Sequence, residues 1–214
     1  MNIIQTLAIS AIPVIFAITL HEAAHGYVAR YFGDPTAWKL GRISLNPLRH
    51  VDPVGTFLVP ALILLLSSGG MMFGWAKPVP VDFGKLRRPK QDMLWVAVAG
   101  PAANLLMALG WTLVFKLVVD AQETLYSDAL KEMCRVGISI NGVLMLLNLL
   151  PLPPLDGGRI AVSLLPAPAA LRFARLEPWG FPILLALLFL GILDKILQPL
   201  LNLYFSLLLG LFGF

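Results

Sequence analysis

Long apolar runs constrain this chain more than anything else in it. Crossing a bilayer as a helix takes roughly 20 mainly apolar residues, and by that measure the candidate spans are about 3–31, 54–73, 93–119, 136–152 and 179–214. The last run is too long for one helix across a ~30 Å hydrocarbon core. Asp194, Lys195 and Pro199 interrupt it, so it divides into two short segments, or one helix and an interfacial piece. Only 13% of the 214 residues are charged, about half the fraction of a soluble domain. The expectation is an all-α membrane protein: a polytopic transmembrane helix bundle of about five to six hydrophobic segments, forming a single domain over 1–214. The stretches LGRISLNPLRHV and WAKPVPVDF alternate apolar and polar residues and carry prolines, which predicts short edge strands at the membrane surface.

The first run has no Lys or Arg ahead of it and no small-residue cleavage pattern after it, and is read as an uncleaved first helix. A single Cys, Cys134, forbids an intrachain disulfide. The net charge of +4 sits in short segments between apolar runs; it reads as membrane topology, with a lipid bilayer and no nucleic acid among the partners. Segment 30–52 holds Arg30, Lys39, Arg42, Arg49 and His50, and segment 74–92 holds Lys77, Lys85, Arg87, Arg88 and Lys90, while 120–135 is net acidic. Basic loops stay in the cytoplasm, yet a spanning 54–73 would separate these two. That run contains Pro60 and Gly69-Gly70. Either it re-enters without crossing, or it crosses and leaves one basic loop outside.

At the end of the first run stands His21-Glu22-Ala-Ala-His25. In a helix, histidines four apart project from one face and reach one metal ion, while Glu22, beside His21, is placed to take a proton from a water on that ion. Lipid makes the metal reading stronger. An ionisable group at mid-bilayer costs about 2.5–3.5 kcal/mol, whereas a structural zinc site returns roughly 10–16 kcal/mol. Catalytic zinc commonly has three protein ligands, and the candidates for the third are His50, Asp34, Asp52 and Asp156. The first three belong to a charged, interfacial segment. Asp156 lies in NLLPLPPLDGG (148–158), where Pro151, Pro153 and Pro154 break any helix, and broken helices at membrane depth line polar cavities. Asn148 in the same stretch is either a donor to an oxyanion or a hydrogen bond to backbone freed by Pro151. Asn104, in AGPAANLLMALG, reads first as a close helix-packing position.

Together HEAAH (21–25), AGPAAN (99–104) and NLLPLPPLDGG (148–158) resemble the motifs of the site-2 proteases, intramembrane zinc metalloproteases, and the chain looks like a compact bacterial member without PDZ or CBS domains. GRISLNPLRHVDP and FGWAKPVPV are similar to stretches of that compact subgroup, so the likeness covers roughly 20–160. The resemblance implies Zn2+ bound by His21, His25 and Asp156, Glu22 as catalytic base, Asn148 near the oxyanion, and a catalytic core of about 3–160 followed by C-terminal hydrophobic segments at about 179–214. It implies a multi-pass protein of the cell (inner) membrane with its active site toward the cytoplasmic side, cutting transmembrane protein substrates, and suggests that the stretch beside 74–82 holds substrate in extended form. Two other functions use the same residues: a small metal or ion transporter with an intramembrane His/Glu/Asp path, and a scaffold that binds membrane helices without cutting them. Nothing in the sequence names a substrate or an oligomeric state.

Overall fold

A computed structural model describes residues 3–66 and 74–213. Its α-helices are α1 (Ile3–Tyr31), α2 (Thr36–Lys39), α3 (Val59–Leu66), α4 (Pro89–Asp120), α5 (Ser127–Asn148), α6 (Asp156–Leu164), α7 (Ala167–Ala174), α8 (Glu177–Phe189) and α9 (Ile192–Phe212). Among the described residues three helices are long and apolar enough to cross a membrane: α1 from Ala8, α4 and α9. α5 has the length, but Asp128, Lys131, Glu132 and Arg135 charge its first half. The 53–66 stretch is a π-helical turn (Pro53–Leu58) running into α3, about 20 Å in all at helical rise. The Gly69-Gly70 pair lies outside the described residues.

At the centre α4 packs against α1, α5 and α6, and α1 against α5. Its buried face is Ala97, Gly100, Pro101, Asn104, Ala108 and Thr112, small side chains at three- and four-residue spacing that let helices approach closely in lipid. On α5 the same device holds large rings. A Cβ on Gly137 would stand 2.5 Å from the Trp111 ring, and one on Gly142 would stand 2.4 Å from Tyr204, whose hydroxyl donates to Ile138 O at 2.8 Å.

The prolines of 148–158 act as expected: α5 ends at Asn148 and α6 begins at Asp156. The intervening loop folds back on the first turn of α6, so that a Cβ on Gly157 would lie 2.3 Å from Leu149 O. In the C-terminal run the break falls elsewhere than the sequence suggests. Asp194, Lys195 and Pro199 all lie inside α9; α8 and α9 separate at Gly191, whose φ of +66° is left-handed backbone that favours glycine.

The described residues contain no strand. GWAKPVPVD, residues 74–82, runs extended as a strap ahead of a 3-10 turn at Phe83–Lys85, tied to non-strand partners: Lys77 N–H donates to His50 O at 2.8 Å, Trp75 Nε1–H to Asp52 Oδ2 at 3.0 Å, Asp82 N–H to Asp34 Oδ2 at 2.7 Å. Pro78 and Pro80 carry no N–H, which breaks any ladder on that edge. In LGRISLNPLRHV, Asn46 caps a 3-10 turn (Pro47–Arg49) instead of pairing. These bonds join the two basic segments, 30–52 and 74–92, to each other.

Candidate metal centre

His21 and His25 stand on one face of α1, as four-residue spacing requires, with Asp156 brought to them by the first turn of α6. His21 Nε2 lies 3.1 Å from His25 Nε2, and Asp156 Oδ2 lies 3.3 and 3.2 Å from the two nitrogens. All three residues are buried. The opposite ring nitrogens already have partners: His25 Nδ1 donates to Val96 O at 2.7 Å, and His21 Nδ1 faces Asn104 Oδ1 at 2.5 Å. With both protons on Nδ1, the facing Nε2 atoms carry lone pairs. Asp156 Oδ2 is buried and has no hydrogen-bond partner. Three acceptors thus converge with no proton donor among them, and a divalent cation satisfies all three at once. Ligands at about 2.0–2.1 Å from a tetrahedral zinc stand about 3.3 Å from each other, which matches the observed triangle. Nitrogen and carboxylate donors fit zinc.

Gly100 of α4 closes the back of the triangle; a Cβ there would stand 2.4 Å from His25 Nε2 and 2.6 Å from His21 Nε2. Glu22 is half-buried beside the triad and its Oε2 accepts the Val79 N–H of the strap at 2.7 Å. The triad, Glu22 and Asn148 share one cavity of about 650 Å3. Apolar rings from the strap and α8 wall it: Trp75 meets Phe181 edge to face with centroids 4.8 Å apart. Arg159 of α6, also lining the cavity, stacks over Phe83 at 4.8 Å.

Of the four candidates for third ligand, the structure brings Asp156 alone to the histidines among the described residues. Asp34 is fully buried as a turn residue, accepting Thr36 N–H at 2.9 Å as well as Asp82 N–H. Asp52 accepts Val54 N–H at 3.1 Å in addition to the Trp75 indole. His50 Nε2 donates to Ser44 O at 2.8 Å. All three stitch the surface segments together. Asn148 donates to Leu144 O at 3.0 Å, one turn back on its own helix, and not to Leu147 O, which accepts the Leu150 N–H at 3.1 Å in place of the N–H that Pro151 lacks. Asn104 is more than a packing position, since its oxygen holds His21. Sequence reasoning had one usable signal for it: an amide in a stripe of small residues on an otherwise apolar helix. For Asn141, whose Oδ1 accepts from Asn104 Nδ2 at 2.9 Å, and for Val79 there was none.

The model of peptidase family M50 matches residues 9–191, and the chain belongs to that family of intramembrane zinc metalloproteases, the site-2 proteases. It is 41% identical over 194 residues, 89% of this chain and 84% of the relative, to a Bacillus subtilis protein named "Putative zinc metalloprotease YwhC". A Mycolicibacterium smegmatis protein with the same description and the name Rip2 is 32% identical over 189 residues, 85% of this chain and 66% of the relative. The Rip2 of Mycobacterium tuberculosis is 31% identical over 145 residues, 66% of this chain and 51% of that protein. No solved structure matches the chain.

Proposed function

We propose that His21, His25 and Asp156 hold the zinc of an intramembrane endopeptidase and that Glu22 is its base. The observation that carries this is the triangle of His21 Nε2, His25 Nε2 and Asp156 Oδ2 at 3.1–3.3 Å, with a half-buried carboxylate at its side. When bound, the ion supplies Lewis-acid chemistry, making water a stronger acid and drawing negative charge on an attacked carbonyl oxygen. Glu22 takes a proton from the attacking water as the new C–O bond forms, and delivers it to the amine nitrogen as the C–N bond breaks. The Val79 N–H holds Oε2 of Glu22 at 2.7 Å and so orients the carboxylate, whose remaining lone pairs are open to the proton. An amide nitrogen carries two hydrogens; with one on Leu144 O, the second N–H of Asn148 serves the developing oxyanion.

The substrates are transmembrane segments of other proteins. Carbonyls locked in a substrate helix are not open to attack, so the segment unwinds first, and the apolar walls of the cavity receive it in extended form beside the strap. The protein is a multi-pass cell-membrane protein acting as one domain, its catalytic core spanning about 3–160, with α5 against α1 and α4 as a further crossing and 54–73 re-entering without crossing. The bonds joining the two basic segments support this topology, and the positive-inside rule puts that face, with the active site, toward the cytoplasm. Tyr27, Tyr31 and Trp38 are exposed in the manner of an interfacial aromatic belt. Glu22 lies nine residues before Tyr31, about 13 Å deeper.

Metal analysis with a flux assay tests the reading. Purified wild-type chain is expected to carry one zinc, and His21→Ala and Asp156→Ala to lose it. Zinc passage through liposomes containing the protein, without peptide cleavage, would instead identify a transporter.

A further inference from the structure

Behind His21 the buried amides form a chain with one direction. Asn141 Nδ2 donates to Gly137 O at 2.8 Å, one turn back on α5. A main-chain carbonyl cannot exchange roles, so this bond sets the Asn141 amide with Oδ1 toward Asn104. Asn104 Nδ2 spends its two hydrogens on that Oδ1, at 2.9 Å, and on Ala17 O of α1, at 3.3 Å. Its own Oδ1 is thereby left against His21 Nδ1. An amide oxygen can only accept, and the neutral His21 ring therefore carries its proton on Nδ1. Both amides are 0% exposed, so water does not compete for these groups. A packing role alone would not need this order, since an apolar side chain of similar size fills the space.

We propose that Asn141 and Asn104 are positioning residues that fix His21 as the Nδ1–H tautomer, with Nε2 open, before the metal arrives. The inference rests on the reading of His21 as a ligand. A neutral imidazole in water prefers its proton on Nε2, the form that cannot bind through that nitrogen. The relay removes the tautomer change and the ring rotation from the binding step. Its distinguishing property is that Asn141, which touches neither the ring nor the ion site, governs affinity through the orientation of a second amide.

The test uses the full chain in lipid, with ring-15N histidine, zinc-free and at a pH where the rings are neutral. His21 is expected to show a protonated Nδ1 and an unprotonated Nε2; a protonated Nε2 would overturn the relay. Chelator competition then compares two variants. Asn141→Leu removes the nearer of the two acceptors that turn Asn104, leaving only the Ala17 carbonyl at 3.3 Å, and zinc affinity is expected to fall about 10–100-fold, the usual range for partners behind a metal-bound histidine. Asn141→Asp still presents an oxygen to Asn104, and its protonated form can still donate to Gly137 O; its affinity is expected to stay near wild type. Equal losses in both variants, or none in Asn141→Leu, assign Asn141 to packing and end the proposal. Where Asn141→Leu does not fold, the ring nitrogens of wild type decide the question. A wild-type chain that binds no zinc removes the ligand reading beneath the relay, whereas zinc binding with Nε2 protonated in the metal-free ring removes the relay alone.

Discussion

Gly100 decides how near α4 can come to the histidines. With any side chain there, the imidazoles or the helix must move, because both Nε2 atoms stand within 2.6 Å of the place a Cβ would take. The rings have little room to yield, being held from behind by Val96 O and Asn104 Oδ1. Gly100→Ala is therefore expected to weaken zinc binding and to cost about 1–3 kcal/mol of stability, as overpacking does; chelator competition and thermal unfolding measure the two, and wild-type values for both would show that α4 is not in contact with the site. At this scale the sequence was an uneven guide. The convergence of His21, His25 and Asp156 was legible, because ligand chemistry depends on side-chain type and the two histidines are local in the chain. The second role of Asn104 was not, since it depends on which turn of α1 faces which turn of α4, a matter of packing between residues 83 apart.

Among the elements, the strap 74–82 is the one that sequence described in part. Alternation correctly placed it as extended chain, but a strand also needs a partner with donors in register, and here the Val79 N–H, standing between two prolines, goes to Glu22. Its end is fastened by charge. Lys85 Nζ lies 2.8 Å from Asp82 Oδ2, and the hydrogen bond from that ammonium, with the Gly84 N–H adding to it, holds the Asp82 carboxyl below its ordinary pKa. Since the folded value is the lower one, the stabilisation is complete above the unfolded carboxyl's pKa of about 4 and is lost as pH falls through the folded value. Protection of the Gly84 amide, which donates to Asp82 Oδ1, is expected to be constant from about pH 8 to about pH 5 and to decline below about pH 4. Hydrogen exchange, corrected for the intrinsic rate, measures it; a decline already between neutrality and about pH 5 would put the strap under the control of another group. The break between α8 and α9 shows the same limit of sequence reading. Charges and a proline at 194–199 looked like the interruption, yet a helix in lipid tolerates Pro where neighbours satisfy the backbone, and Gly191 supplied the left-handed turn.

For the whole molecule, the helical membrane class was legible from apolar run length alone, because the bilayer imposes that length on any crossing helix. The path between the runs was less so: charge pattern suggested that both basic segments share a side, and the bonds from the strap to His50, Asp52 and Asp34 join them. In a Cys134→Ser background, cysteines at Lys39 and Arg88 are expected to react with a membrane-impermeant thiol reagent from one side, and a cysteine at Glu123 from the other. Labelling of Lys39→Cys and Arg88→Cys from opposite sides would require 54–73 to cross. With that topology His21, Glu22 and His25 lie on the first membrane helix, with Asp156 brought to them by α6, where a carboxylate and two imidazoles need a metal to be tolerated and a base to be useful. Cleavage of a model transmembrane peptide by the Glu22→Gln chain, with its zinc content measured in the same preparation, separates holding the ion from using it. One zinc per chain with cleavage lowered about 10²–10⁴-fold is the expected result; zinc retained and cleavage at the wild-type rate would contradict the assignment of Glu22 as the base.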